Sequence, residues 1–93
     1  MTTVDRITSR TKEILANTLE LGDRVQAIES NTPLLGNIPE LDSVAVVTII
    51  LALEKEFSIS IDDDEISAKT FATLGTLVHF IASKLTEKTQ KPD

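Results

Sequence analysis

An all-α bundle with three long helices, one short helix and a long loop between the first two is the fold this sequence predicts. Three observations carry that prediction. Apolar residues return at helical spacing in three separate stretches. Pro33, Gly36 and Pro39 gather in one connection, so no long helix runs through it. Hydrophobic residues are 41% of the 93 and aromatics only 3%, which implies one globular domain with an aliphatic core. That core should occupy about residues 4–85, leaving TEKTQKPD, residues 86–93, as a solvated tail.

The first helix is expected over about residues 3–20. In TVDRITSRTKEILANTLEL, Val4, Ile7, Ile14 and Leu15 make a stripe that Thr11 and Thr18 continue. Gly22 is expected to stop this helix near Leu21. The connection that follows leaves room for a turn or two in RVQAIE. A connection this long is usually tied down by its own apolar residues, here Val25, Ile28, Leu34, Leu35 and Leu41.

The segment VAVVTIILAL, from Val44 to Leu53, is rich in β-branched residues and would also suit a buried strand. Length decides for a helix over about residues 43–57, because fifteen residues without Gly or Pro are ordinary for a helix and unusual for a strand. At about 100° per residue from Ser43, Val46, Ile50, Leu53 and Phe57 share a narrow arc, flanked by Val47 and Ile49. Val44 and Leu51 lie away from it, beside Thr48 and Lys55, and offer apolar surface to a partner. Asp62 with Glu65 three residues on reads as an Asp capping box opening a short helix near residues 63–68. The last helix is expected over about residues 73–86, turning Leu74, Leu77, Val78, Ile81 and Leu85 inward. The expected core is therefore Ile7, Ile14, Val46, Ile50, Leu53, Phe57, Ile61, Leu74, Leu77 and Ile81.

Several function classes drop out. Without Cys there is no disulfide, thiolate metal site or cysteine nucleophile. The start MTTVDRITSR lacks the apolar core of a signal peptide, the longest apolar run is too short to span a bilayer, and a cytoplasmic location is expected. The formal charge is −6, and Glu54, Glu56, Asp62, Asp63, Asp64 and Glu65 stand against Lys55 alone in their window. Nucleic acid and anionic membranes are poor partners for such a surface, and basic proteins good ones. The run DDDE lacks the alternating ligands and turn glycine of a calcium loop, so no metal is expected. His79, the single histidine, points away from the apolar stripe and should not meet Ser43 to form a hydrolase pair. No catalytic residue is expected.

The pair Asp42-Ser43 stays open on its own letters. Either residue caps the helix, or Ser43 is presented for modification. The wider pattern says more. LDSV at the helix start, ALEKEF at its end, then ISIDDDEI and FATLGTL resemble the acyl carrier protein family in order and spacing, over about residues 4–85. The resemblance implies an acyl-carrier-protein-like four-helix bundle, residues 1–93 forming a single, monomeric carrier domain. It implies that Ser43, preceded by Asp42, is esterified with 4'-phosphopantetheine from coenzyme A by a carrier-protein synthase (a phosphopantetheinyl transferase). The terminal thiol would then hold acyl groups as thioesters. Further partners are implied: an acyl- or aminoacyl-loading ligase, and acyl transferases or synthases. These would dock on Val44, Thr48, Leu51, Glu54 and Glu56, while Val47, Ile50, Ile61, Ile66 and Phe71 would shelter the acyl chain. A phosphodiester on Ser43 would also suit a helix N-terminus, where free N–H groups and the macrodipole favour an anion.

Two departures from the family pattern are informative. Val44 stands where the family has Leu or Met, and Ala45 and Thr48 stand where carriers of primary fatty-acid synthesis have acidic residues. They point to a specialised carrier, serving a lipid, polyketide or other specialised pathway, with the D-alanyl carriers a near relative in this stretch. Two other readings compete: an aminoacyl carrier of the same fold, and an unmodified helical interaction module in which Ser43 is a plain cap.

Overall fold

In the computed structural model, residues 3–90 are described. They form helices α1 (Thr3–Leu19), α2 (Ser43–Phe57) and α3 (Leu74–Gln90), with short 3-10 turns at Gly22–Ala27 and Asp63–Glu65. No strand occurs among the described residues, and the one bridge of that kind is an isolated antiparallel pair, Pro33 with Thr73. The fold is all-α, with α1 packed against both α2 and α3.

The helix ends follow local chemistry. Both α1 and α2 close on a non-glycine residue in the left-handed region, Glu20 and Ser58, each at φ 54°. The next N–H then reaches back five residues, from Leu21 to the Ala16 carbonyl at 3.0 Å and from Ile59 to the Glu54 carbonyl at 3.2 Å. Gly22 therefore does not stop α1 as expected. The helix has already turned at Glu20, and Gly22 (φ 58°) opens the following 3-10 turn. Thr73 and Thr76 cap α3 reciprocally: the Thr76 N–H donates to Thr73 Oγ1 at 3.1 Å and the Thr73 N–H to Thr76 Oγ1 at 3.0 Å.

The core is aliphatic, with Phe71 as its one fully buried aromatic among the described residues. From α1 it takes Ile7, Leu15 and Leu19, together with the buried hydroxyl residue Thr11. Val4, expected on this stripe, is exposed in the first turn of α1. On α2 the fully buried pair is Ile49 and Leu53, whereas Val46, Ile50 and Phe57 are half-buried. The buried side is thus turned about 50° from the expected arc. A helix wheel counts only what the helix itself shows. Here the α1–α2 loop contributes Leu34, Ile38 and Leu41 to the same core, cover that a wheel cannot place. Leu35, by contrast, is exposed.

That loop is sewn to the start of α3. Leu34 N–H donates to the Ala72 carbonyl (2.9 Å) and Leu35 N–H to the Phe71 carbonyl (3.2 Å). In return Leu74 N–H donates to the Thr32 carbonyl (3.3 Å) and Gly75 N–H to the Ser30 carbonyl (2.7 Å). Two first-turn N–H groups of α3 are satisfied this way, by loop backbone rather than by side chains.

Two expected boundaries move. The short helix near residues 63–68 is only the three-residue turn Asp63–Glu65. The Glu half of its capping box forms, Asp62 N–H donating to Glu65 Oε1 at 2.9 Å, but the chain turns again at 68–71 instead of continuing. At the other end, α3 runs on through Gln90, so the first part of the expected tail is helical, and residues 91–93 lie outside the described residues.

Candidate functional site

The site is built at the join between the loop and α2. Leu41, buried, anchors the end of the loop, and Leu41 N–H closes a turn on the Ile38 carbonyl at 3.0 Å. Asp42 follows in extended conformation (φ −109°, ψ −175°), as an N-cap residue must. Its Oδ1 accepts the Ala45 N–H at 2.8 Å, and its carbonyl accepts the Val46 N–H at 2.9 Å. Asp42, not Ser43, is therefore the residue that caps α2. Ser43 is the first helical residue, exposed, and its hydroxyl makes no hydrogen bond among the described residues.

A hydroxyl with no structural task, at the surface and at a helix start, is suited to chemistry. The N–H groups of Ser43 and Val44 likewise find no acceptor among the described residues, because Asp42 takes only the Ala45 N–H. A phosphate ester on Ser43 would meet both open donors and the positive end of the helix dipole. The residues present therefore fit a phosphodiester. Upstream, the Arg24 guanidinium grips Glu40 with both terminal nitrogens, at 2.6 and 3.1 Å, fixing the 3-10 turn to the segment that leads into Asp42. This pair was not anticipated from the sequence, since the two residues lie in the loop, where no periodicity links them. It raises the Arg24 pKa and lowers that of Glu40, chiefly through the shared hydrogen bonds.

Beyond Ser43 the outward side of α2 is apolar. Val44 is 73% exposed, Val47 56% and Leu51 61%, spaced so that they form one stripe on the side opposite Ile49 and Leu53. Thr48 stands beside them, its hydroxyl donating to the Val44 carbonyl at 3.0 Å. Val47 had been expected to line an acyl shelter. Its exposure places it on the same outward stripe as Val44 and Leu51, and the three-residue step from Val44 was the available signal.

The two carboxylates expected to meet partners are engaged within the fold. Glu54 is half-buried, and its Oε2 accepts the Ile61 N–H at 2.7 Å, holding the chain that leaves α2. Glu56 Oε2 lies 3.6 Å from Arg10 Nε, bridging α2 to α1. Of the remaining shelter residues, Ile61 and Phe71 are buried in the core, and Ile50 and Ile66 are half-buried against it. His79 is exposed on α3 and lines a groove with Lys69, Thr73 and Thr76, of which Ser43 is not part.

Comparison with known proteins agrees with this geometry. The family described as "Phosphopantetheine attachment site" matches residues 9–81. An acyl carrier protein of Lactobacillus acidophilus is 33% identical over 79 residues, covering 85% of this chain and 92% of that one. The solution NMR structure of a holo acyl carrier protein from Nitrosomonas europaea superimposes with a TM-score of 0.78 at 49% identity, covering 92% of this chain and 99% of that one.

Proposed function

This chain belongs to the acyl carrier protein family, whose prosthetic group is covalent 4'-phosphopantetheine, and from that premise we propose that Ser43 is its attachment point and that the carrier serves a specialised pathway. The observation that carries the assignment is the division of labour at the helix start. Asp42 caps α2, which leaves the exposed Ser43 hydroxyl uncommitted. A carrier-protein synthase would direct that hydroxyl at the pantetheine-bearing phosphorus of coenzyme A. The new bond is Oγ–P, the broken one the pyrophosphate P–O, and the bisphosphorylated adenosine departs with the electron pair while the serine proton passes to a base on the synthase. Once attached, the arm supplies a thiol that holds acyl groups as thioesters. The chain carries and its partners catalyse.

Specialisation is read from α2. Ala45 and Thr48 place no charge on the first two turns, so synthases, loading ligases and acyl transferases would meet Val44, Val47 and Leu51 rather than carboxylates. Among the described residues no helix is long and apolar enough to cross a membrane. We read the whole chain as one carrier domain acting in the cytoplasm. The test is an intact mass after incubation with coenzyme A and a broad-specificity synthase. The protein should gain one phosphopantetheine, and the Ser43→Ala protein none. A mass gain that survives Ser43→Ala defeats the assignment.

A further inference from the structure

Residues 39–42 lead the chain into Ser43, and their own hydrogen bonds are almost all local. Pro39 has no N–H to donate, Leu41 N–H turns back on the Ile38 carbonyl, and Asp42 N–H turns back on the Glu40 carbonyl at 3.1 Å. Among the described residues, one hydrogen-bonded contact ties this segment to a distant part of the chain. The Arg24 guanidinium, in the Gly22–Ala27 turn, holds both Glu40 oxygens, Nη1 to Oε2 at 2.6 Å and Nη2 to Oε1 at 3.1 Å. We propose that Arg24 and Glu40 are positioning residues for phosphopantetheine transfer, clamping the lead-in to α2 so that the Ser43 hydroxyl is aimed for the synthase. The inference rests on Ser43 as the attachment point.

Connectivity and shape argue for it. The contacts run in an unbroken series from the turn to the helix. Arg24 N–H is anchored on the carbonyl of the buried Leu21 at 3.1 Å. Glu40 takes the guanidinium on its side chain and the Asp42 N–H on its carbonyl, and Asp42 Oδ1 takes the Ala45 N–H at 2.8 Å. Ser43 is thus bracketed, by the cap on the helix side and by the clamp on the loop side. Two parallel N–H···O bonds fix the plane of a carboxylate as well as its distance, which a single point contact does not. The shared hydrogen bonds also lower the Glu40 pKa, so the pair stays charged at neutral pH.

Energetics say where the clamp acts. The Arg24 and Glu40 side chains are 57% and 38% exposed, and a pair so exposed adds little to global stability. Its effect falls on the short segment it restrains. Displacement at phosphorus needs the attacking oxygen aligned at about 3–3.5 Å, so lost order at Ser43 slows the transfer step. The outward stripe of Val44, Val47 and Leu51 is built within α2 and does not depend on the clamp. Loosening the clamp should therefore slow transfer without weakening the encounter with the synthase.

The experiment measures initial rates of transfer by a broad-specificity synthase at saturating coenzyme A, with the carrier concentration varied. It compares the wild-type protein with Arg24→Gln, Glu40→Gln and the double variant. Each single variant should lower kcat about two- to five-fold, the range open to an exposed ion pair, with KM and the urea midpoint unchanged. The double variant should be no slower than either single one, because the two residues act as a unit. Arg10→Gln, which removes the exposed contact between α1 and Glu56, should leave kcat as it is. An unchanged kcat in the clamp variants overturns the proposal. So does a change confined to KM, or losses that multiply in the double variant, either of which shows the two side chains touching the synthase separately. All three outcomes leave Ser43 as the attachment point. Wild-type protein that gains no phosphopantetheine at Ser43 removes that premise and the inference with it.

Discussion

At the scale of single residues, the decisive feature is which of two neighbours does the structural work. The letters Asp-Ser at a helix start were legible as a cap and as a modification site. Only geometry separates them, by showing the Asp42 carboxylate on the Ala45 N–H and the Ser43 hydroxyl free of any such bond among the described residues. Glu54 shows the converse limit. Its charge marks it as surface, yet its carboxylate serves the Ile61 backbone, a contact seven residues away with no local signature. Thr11 is a third case. Its hydroxyl is fully buried and has no hydrogen-bond partner among the described residues, so a polar group is desolvated without return. Thr11→Val, nearly the same shape, should therefore raise stability by about 1 kcal/mol. In urea unfolding the midpoint should rise with an unchanged slope. A fall would mean that the hydroxyl bonds to a buried water.

At the scale of elements, α2 joins a buried face and an exposed apolar one. The helix itself was readable despite its β-branched run, because its length and flanks excluded a strand, and its observed range Ser43–Phe57 is the expected one. Its rotation was not readable, since burial on the Ile49–Leu53 side depends partly on loop residues distant in sequence. The result is an exposed stripe of Val44, Val47 and Leu51. Leu51→Asp should change stability by no more than about 0.5 kcal/mol, as for other surface positions. The same change should weaken binding of the carrier-protein synthase, as titration of the wild-type and variant proteins would show. If Leu51→Asp unfolds the protein, the stripe belongs to the core.

The turn at Asp63–Glu65 is held from outside by Lys84 of α3, whose Nζ lies 2.9 and 2.8 Å from the two Glu65 oxygens. Hydrogen bonds from Lys84 first, and from the Asp62 backbone second, lower the Glu65 pKa below its ordinary value of 4.5. A lowered folded-state pKa stabilises the fold fully above the unfolded value, and that contribution is lost as pH falls through the folded one. Melting temperature should thus decline below about pH 4.5, and Glu65→Gln should flatten that decline. An unchanged acid limb in Glu65→Gln would show that the link to Lys84 contributes nothing.

At the scale of the whole molecule, the long loop is a structural member and not a slack connector. Its apolar residues announced as much in the sequence, but its docking against the start of α3 is a backbone contact that no side-chain pattern encodes. Gly75 is the point of closest approach, since a Cβ there would lie 2.9 Å from the Ser30 carbonyl oxygen. In an open helix Gly→Ala would stabilise by about 1 kcal/mol. Here the crowding should reverse the sign, and Gly75→Ala should destabilise by roughly 1–3 kcal/mol in denaturant unfolding. A gain in stability would show that the loop yields easily. An anchored loop also holds Asp42 and Ser43 in place, and the proposed function singles out Ser43 for modification among exposed serines such as Ser30 and Ser58. The most direct measurement of that claim is fragment mass spectrometry of the wild-type protein after synthase loading, locating the added group along the chain. Phosphopantetheine on Ser43 alone is the result this account predicts, and its appearance on Ser30, Ser58 or several serines at once would contradict it.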